Sequence, residues 1–277
     1  MGIFTSFMCF LRWIMKGLNG KNIVITGASS GIGEKIAIKA ARLGARPILL
    51  ARSEEKLAAI CKKINNQFPG QAIYFTLDVS NPEQVKEVFA KIYQEVDFID
   101  ILLNNAGFGI FDMVHEAKME DVNRMFQVNV MGLIACTKEV LPSMLQNNGG
   151  HIINVASQAG KLATAKSSAY AASKHAVLGF TNSLRLEVAN SNIKISAVNP
   201  GPIETNFFHT ADKTGNYVKN VQKFMLSADT VAEKIIKLML HPKRELNLPL
   251  WMNWGSVLYN LFPGIADKLV GGILNKK

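Results

Sequence analysis

From residue 21 onward, short apolar runs alternate with longer amphipathic stretches. "NIVIT" (22–26) is a β-branched run without a polar break before its final threonine, as expected of a strand buried on both faces. "GEKIAIKAARLG" (33–44) follows, with apolar residues at helical spacing and a closing glycine. The alternation continues with strands predicted at 47–51, 72–78, 99–105, 150–157 and 193–200, separated by helices at 53–65, 81–95, 119–145 and 168–189. Strands that alternate with helices build βαβ units, hence a parallel sheet covered on both faces. No composition break divides residues 21–240. The expected fold class is α/β: one domain over 21–245, a doubly wound parallel sheet of the Rossmann-like three-layer type. Residues 1–20 form an amphipathic N-terminal extension, and residues 246–277 a hydrophobic tail expected at a substrate site or an interface.

Composition narrows the setting. The 277-residue chain is 48% hydrophobic and 19% charged, with a formal net charge of +10, so it can bury a sizeable core and is not disordered. Such a charge suits an anionic cofactor, nucleic acid or an anionic membrane surface. The lysines are spread along the chain without a basic block or a nucleic-acid module, which argues against nucleic acid. Cys9, Cys61 and Cys136 have no Cys-x-x-Cys spacing, and a reduced, cytoplasmic compartment fits them. The apolar stretch from Ile3 to Met15 contains Arg12 and is shorter than the ~20 residues of a membrane span. It has no small-residue cleavage site, and "MGIFTS" fits the loose myristoylation pattern through Gly2 and Ser6. Peripheral contact with a membrane through the ends of the chain is therefore an open expectation. No metal is expected.

Candidate chemistry begins at "TGASSGIG" (26–33), between the first strand and the first helix. Gly27, Gly31 and Gly33 allow a tight turn and close backbone approach, and the helix start offers free N–H groups to a pyrophosphate. Ser29 and Ser30 add hydroxyls that donate to the ligand or cap the helix. The second strand ends "LLARSEEK", with Arg52 where an NAD site usually carries an acid. A guanidinium there matches a 2′-phosphate, so NADP(H) is the expected cofactor. Farther on, "SSAYAASK" (167–174) puts Tyr170 and Lys174 at i and i+4 among serines and alanines, on one face of the predicted helix.

With "LDVS" (77–80), "NNAG" (104–107), "QVNVMG" (127–132), Ser157 and "NPGPIET" (199–205), these motifs resemble the short-chain dehydrogenase/reductase family in order and spacing. The resemblance covers roughly residues 21–240. It implies hydride transfer between a nicotinamide and a carbonyl or alcohol. By the same resemblance, Ile32 belongs to the pyrophosphate loop, Asp78 and Val79 lie against the adenine, and Asn105, Ala106 and Gly107 support the adenosine ribose. Pro200, Gly201, Ile203 and Thr205 flank the nicotinamide, and Lys174 holds its ribose. Asn129 looks like the family's helix-distorting asparagine, which holds a water on the proton path. The family commonly pairs through the helices bearing Asn129 and Tyr170, so a homodimer or homotetramer is expected.

Reducing a ketone requires a proton on oxygen as hydride reaches carbon. Tyr170 would supply it, with Ser157 bonding the carbonyl oxygen. A free phenol has a pKa of ~10, and one ammonium ~4 Å away could bring it near 7. The substrate is expected to be a hydrophobic ketone or aldehyde. "NFFHT" (206–210) and the aromatics Trp251, Trp254, Tyr259 and Phe262 could line its pocket, or else close the core or an interface. The alternative function is a catalytically silent cofactor sensor or membrane-associated scaffold of the same fold.

Overall fold

Strand β1 (Asn22–Thr26) sends successive side chains into two cores, because neighbouring residues of a strand face opposite ways. Ile23 and Ile25 enter the first core and Val24 the second. The same parity holds in β2 (Arg46–Ala51), β4 (Ile101–Asn104) and β5 (His151–Val155): Leu49, Leu103 and Ile153 point one way, Leu50, Leu102 and Ile152 the other. The computed structural model describes residues 17–68, 71–162, 164–212 and 215–264. The apolar stretch through Met15, its myristoylation pattern and Cys9 lie outside the described residues.

Helices α1 (Gly31–Arg42) and α2 (Glu54–Gln67) cover the first face. Helix α1 stops at Gly44, whose φ of +81° suits the left-handed end of a helix. Strand β3 (Ile73–Thr76) leads to α3 (Pro82–Glu95), whose start combines Pro82 with an Asn81 side chain that accepts from the Gln84 amide at 3.2 Å. Val85, Val88, Phe89 and Ile92 of α3 form much of the second core. Fully buried Phe89 and Ile92 contribute about 1.5–3 kcal/mol each. Between β4 and β5 runs the helix expected at 119–145, built of α4 (Met119–Phe126), a π-helical segment (Gln127–Gly132) and α5 (Leu133–Gln146).

After β5, a 3-10 turn (Gln158–Gly160) leads to α6 (Ser168–Glu187) and β6 (Lys194–Pro200). An excursion follows. The two-residue strands β7 (Ile203–Glu204) and β8 (Leu226–Ser227) pair at its base and enclose α7 (Phe207–Ala211) and α8 (Asn216–Val221). Helix α9 (Ala228–Leu240) returns to the first face and pairs Lys39 of α1 with Asp229 at 3.1 Å and Glu233 at 3.2 Å. Strand β9 (Glu245–Leu248) and α10 (Leu250–Leu261) end the described chain.

The main sheet has the order β3-β2-β1-β4-β5-β6-β9, parallel throughout the described residues. This is the Rossmann-like, doubly wound fold expected from the alternation. The chain builds outward from β1 to β3 and then returns to place β4 on the other side of β1. That reversal opens a crevice at the carboxyl ends of the strands. Strand β9 was not expected. It pairs with β6 at the edge, Val198 opposite Leu246 and Pro200 opposite Leu248, so a division after residue 245 falls inside a strand. Its residues are all half-buried, and "ELNL" has too little apolar character to signal a strand by itself.

Candidate active site

The glycine loop closes the carboxyl end of β1 against the end of β4. Thr26 is buried, and its hydroxyl accepts from the amides of Asn105 and Ala106, both at 3.0 Å. The Asn105 side chain donates to the carbonyls of Thr26 at 3.0 Å and Gly27 at 3.2 Å. The fit leaves no room for side chains. A Cβ on Gly33 would meet the Gly27 carbonyl oxygen at 2.4 Å, and one on Gly27 would meet the Ala106 Cα at 2.9 Å. Gly27 and Gly31 also have φ of +66° and +59°, which glycine adopts without strain. Ser30 occupies the position before α1, yet its hydroxyl makes no capping bond and stays exposed. Ser29 and Ile32 beside it are half-buried.

Arg52 is exposed just past β2, close enough to Asp78 for its charge to act there. Burial pushes the Asp78 carboxyl up, but hydrogen bonds from Ser80 and the charges of Arg52 and Arg124 outweigh it, leaving the pKa below its usual value. The Ser80 hydroxyl donates to Asp78 at 2.6 Å. Val79 packs on the π segment, where a Cβ on Gly132 would stand 2.7 Å from its carbonyl oxygen. Thr205 reaches the glycine loop from the far side, 3.5 Å from where a Cβ of Gly31 would lie. Ile203 is buried, and Gly201 continues β6 by donating its amide to the Leu248 carbonyl at 2.6 Å. These groups, with Pro200 at the end of β6, gather at the carboxyl ends of the strands.

Tyr170 and Lys174 do share a face of α6, and both are buried. The ammonium of Lys174 donates to the Val155 carbonyl at 2.9 Å and lies 5.9 Å from the centre of the Tyr170 ring. Gly107 is close to it, since a Cβ there would stand 3.5 Å from the ammonium and 3.0 Å from Asn129 Oδ1. Asn129 lies in the π segment. Its carboxamide accepts from the Phe108 amide at 3.0 Å and donates to the Phe108 carbonyl at 2.9 Å and the Ser173 hydroxyl at 3.1 Å. Both polar atoms are thus used to hold the loop after β4, at a helix irregularity of the kind often found at functional sites.

Burial, not the neighbouring ammonium, dominates the phenol. Desolvation pushes Tyr170 up to about 12 although a hydrogen bond with Ser157 lowers it. The value near 7 expected from charge alone is not found. Lys174 is itself desolvated, down to about 8, and a lysine that easily loses its charge stabilises a phenolate less. The cause is the aromatic wall. Phe111 meets the Tyr170 ring edge-on at 5.8 Å and Phe207 lies 5.7 Å away, with Phe208 and Tyr217 packed behind. The "NFFHT" segment therefore reaches the phenol. Of the C-terminal aromatics, Trp251, Trp254 and Phe262 are exposed and Tyr259 is half-buried.

A polar network not anticipated from the sequence lies behind Ser157. The Ser157 hydroxyl accepts from the Ala159 amide at 3.0 Å, and the turn it begins ends at Lys161. Lys161 forms an ion pair with Glu245 and donates to Asn247 at 3.0 Å and Asn253 at 3.2 Å. Asn199 donates to Asn247 at 2.8 Å, and Gln158 donates to the Asn199 carbonyl at 3.0 Å. The spacing Ser157-x-x-x-Lys161 is the one local signal that could have drawn attention to this lysine.

Comparisons with known proteins agree with this geometry. The family model for short chain dehydrogenase matches residues 21–216. The NADP-dependent 3-hydroxy acid dehydrogenase of Schizosaccharomyces pombe is 36% identical over 229 residues, covering 80% of this chain and 88% of that protein. The closed form of a serine dehydrogenase complexed with NADP+ has a TM-score of 0.74 at 29% identity, covering 82% of this chain and 94% of that one. A short chain dehydrogenase/reductase from Burkholderia phymatum in complex with NAD has a TM-score of 0.82 at 26% identity, covering 90% and 95%. The chain belongs to the short-chain dehydrogenase family of oxidoreductases.

Proposed function

We propose that the protein is an NADP(H)-dependent oxidoreductase that interconverts a hydrophobic ketone or aldehyde and its alcohol. The observation that carries this reading is the buried Tyr170 phenol, enclosed by Phe111 and Phe207 and hydrogen-bonded to Ser157. The glycine loop suits a pyrophosphate because Gly27 and Gly33 let the backbone close tightly on Asn105 and Ala106, and the start of α1, which Ser30 does not cap, offers N–H groups to an anion. Arg52 fits a 2′-phosphate, and the serine dehydrogenase neighbour holds NADP+. The cofactor, when bound, supplies or accepts the hydride. The remaining roles fall to the chain. Ser157 donates to the substrate oxygen, and Tyr170, held protonated by burial, passes it a proton during reduction. Lys174, 5.9 Å from the centre of the Tyr170 ring, would hold the nicotinamide ribose when the cofactor is bound. Asn129 acts at a distance by fixing Phe108 and Ser173. The aromatic wall excludes water and favours apolar groups beside the carbonyl.

The test is NADPH consumption with a series of aliphatic ketones of increasing length, and with Tyr170→Phe. Catalytic efficiency should rise along the series, by up to ~0.8 kcal/mol per buried methylene. Tyr170→Phe should lower kcat by about 100- to 10,000-fold and leave NADPH binding nearly unchanged, because the ring still packs. A Tyr170→Phe protein within about tenfold of wild type would remove the acid role. Efficiency that falls with chain length would remove the hydrophobic substrate.

A further inference from the structure

Helix α10 is amphipathic in the wrong sense for a helix lying on a protein in water. Its inner side is largely polar: Asn253 accepts from Lys161 at 3.2 Å, and buried Ser256 donates to the Asn253 carbonyl at 2.8 Å. Met252 joins them by packing on Gly201. The outer side carries Leu250, Trp251, Trp254, Leu258, Leu261 and Phe262, with Trp251 57% and Trp254 72% exposed. Phe224 extends this surface by meeting Trp251 edge-on at 5.9 Å. Exposed apolar patches rimmed by polar residues mark interaction surfaces.

We propose that the outward face of α10, with Phe224, docks on an anionic lipid bilayer. Two tryptophans among leucines and phenylalanine suit the headgroup boundary, where the indole ring is half in hydrocarbon and half in water. Charge selects the occupant. Helix α10 has no charged residue, and exposed Lys219 and Lys223 precede Phe224. The sequence continues past residue 264 with Ile265, Leu269, Val270, Ile273 and Leu274 among Lys268, Lys276 and Lys277. A second copy on this face would bring two chains of net charge +10 together, whereas an anionic surface attracts both the lysines and the apolar face.

The face is also joined through α8 to the aromatic cluster around Tyr170. Phe224 follows α8, whose Tyr217 packs on Phe111 and Phe208, and Phe111 borders Tyr170. Docking would hold the cluster close to the hydrocarbon, from which a lipophilic carbonyl could reach the phenol without crossing water. This last step rests on the hydrophobic-substrate reading above. The docking itself does not.

The experiment uses the full chain with Trp13→Phe, so that only Trp251 and Trp254 emit. Binding to vesicles of phosphatidylcholine with and without phosphatidylglycerol is measured by flotation, with quenching by brominated lipid. The protein should float with anionic vesicles, less with neutral ones, and its tryptophans should be quenched. Trp254→Glu with Leu258→Glu should lower the partition coefficient at least about tenfold. The rate of NADPH consumption with a water-soluble ketone should meanwhile stay within about twofold. No flotation would overturn the proposal. So would flotation unaffected by the two substitutions, which would put the contact elsewhere, for instance in residues 1–16. Self-association that the substitutions abolish, without vesicle binding, would assign the face to a second copy. Flotation that persists in a protein without turnover would count against the proposed function and leave the docking intact.

Discussion

The two sides of the crevice are built on opposite principles. On the proposed cofactor side, backbone meets backbone: Thr26, Gly27, Gly33 and Asn105 leave almost no free volume, and hydrogen bonds tie the glycine loop to the end of β4. On the proposed substrate side, side chain meets side chain. Phe111, Tyr170, Phe207, Phe208 and Tyr217 come from four separate stretches and meet ring against ring. The first arrangement has essentially one geometry and suits a ligand that never varies. The second can repack around ligands of different shape. On the proposed function, rigidity is concentrated where the cofactor would sit.

Adding one methyl group to each side gives the largest contrast. In Gly33→Ala the new Cβ meets the Gly27 carbonyl oxygen at 2.4 Å and the Ala28 Cα at 3.0 Å, backbone atoms that cannot rotate away. Overpacking of this kind costs about 1–3 kcal/mol, so NADPH affinity should fall by about 10- to 100-fold. In Gly109→Ala the contacts are ring atoms, Phe207 Cζ at 2.9 Å and Tyr170 Cδ2 at 3.0 Å. These rings can tilt, so NADPH affinity should change by less than about threefold and the effect should appear in the ketone KM. Fluorescence titration and steady-state kinetics on both variants measure the contrast. Equal losses of NADPH affinity would end it.

Arg52 tests the charged end of the cofactor side. A charge-assisted hydrogen bond contributes about 1.5–3 kcal/mol, so Arg52→Ala should lower the ratio of NADPH to NADH affinity by about 10- to 100-fold. Affinity for NADH should hardly move. Equal titration curves for both cofactors with the unaltered protein would show that Arg52 does not select the 2′-phosphate, and NAD, held by the Burkholderia phymatum neighbour, would become the better assignment.

What could be read from the sequence follows the same division. The glycine loop, Arg52 and the Tyr170–Lys174 pair are local: each is a few consecutive residues whose spacing carries the geometry, and the period of the apolar runs located β1 to β6. Strand β9 escaped because a half-buried edge strand needs few apolar residues. The aromatic wall was visible only in part, since "NFFHT" is contiguous but Phe111 approaches it from a distant segment and Tyr217 from the next helix. The pKa of Tyr170 departs from the charge-based expectation for a related reason. A sequence reveals the neighbouring charge at i+4, but the desolvation that outweighs it depends on how the surrounding rings pack.

Lys161 stands apart from both sides, in the polar network behind Ser157, and its removal should have the smallest effect of the three. It stands at the end of the turn that begins with Ser157, while its partner Glu245 is on β9 and Asn253 on α10. Burial raises the Glu245 pKa, but the hydrogen bond and charge of Lys161 more than reverse this. Lys161→Met would leave that carboxylate without its cation in a half-buried site. Breaking a fully buried pair costs about 3–5 kcal/mol. Here the two side chains remain 16% and 25% exposed, so solvent screening should reduce the loss to about 1–2 kcal/mol. If that strain falls on the turn, Ser157 shifts relative to Tyr170 and kcat drops about tenfold. NADPH affinity should hold, because the glycine loop shares no hydrogen bond with this network. Lys161→Arg should recover part of kcat, and Glu245→Gln combined with Lys161→Met should cost less than the two changes summed, since no unpaired charge remains. A Lys161→Met protein that unfolds at lower urea with kcat unchanged would make the network a brace for β9 and α10, with no influence on how Ser157 meets the substrate.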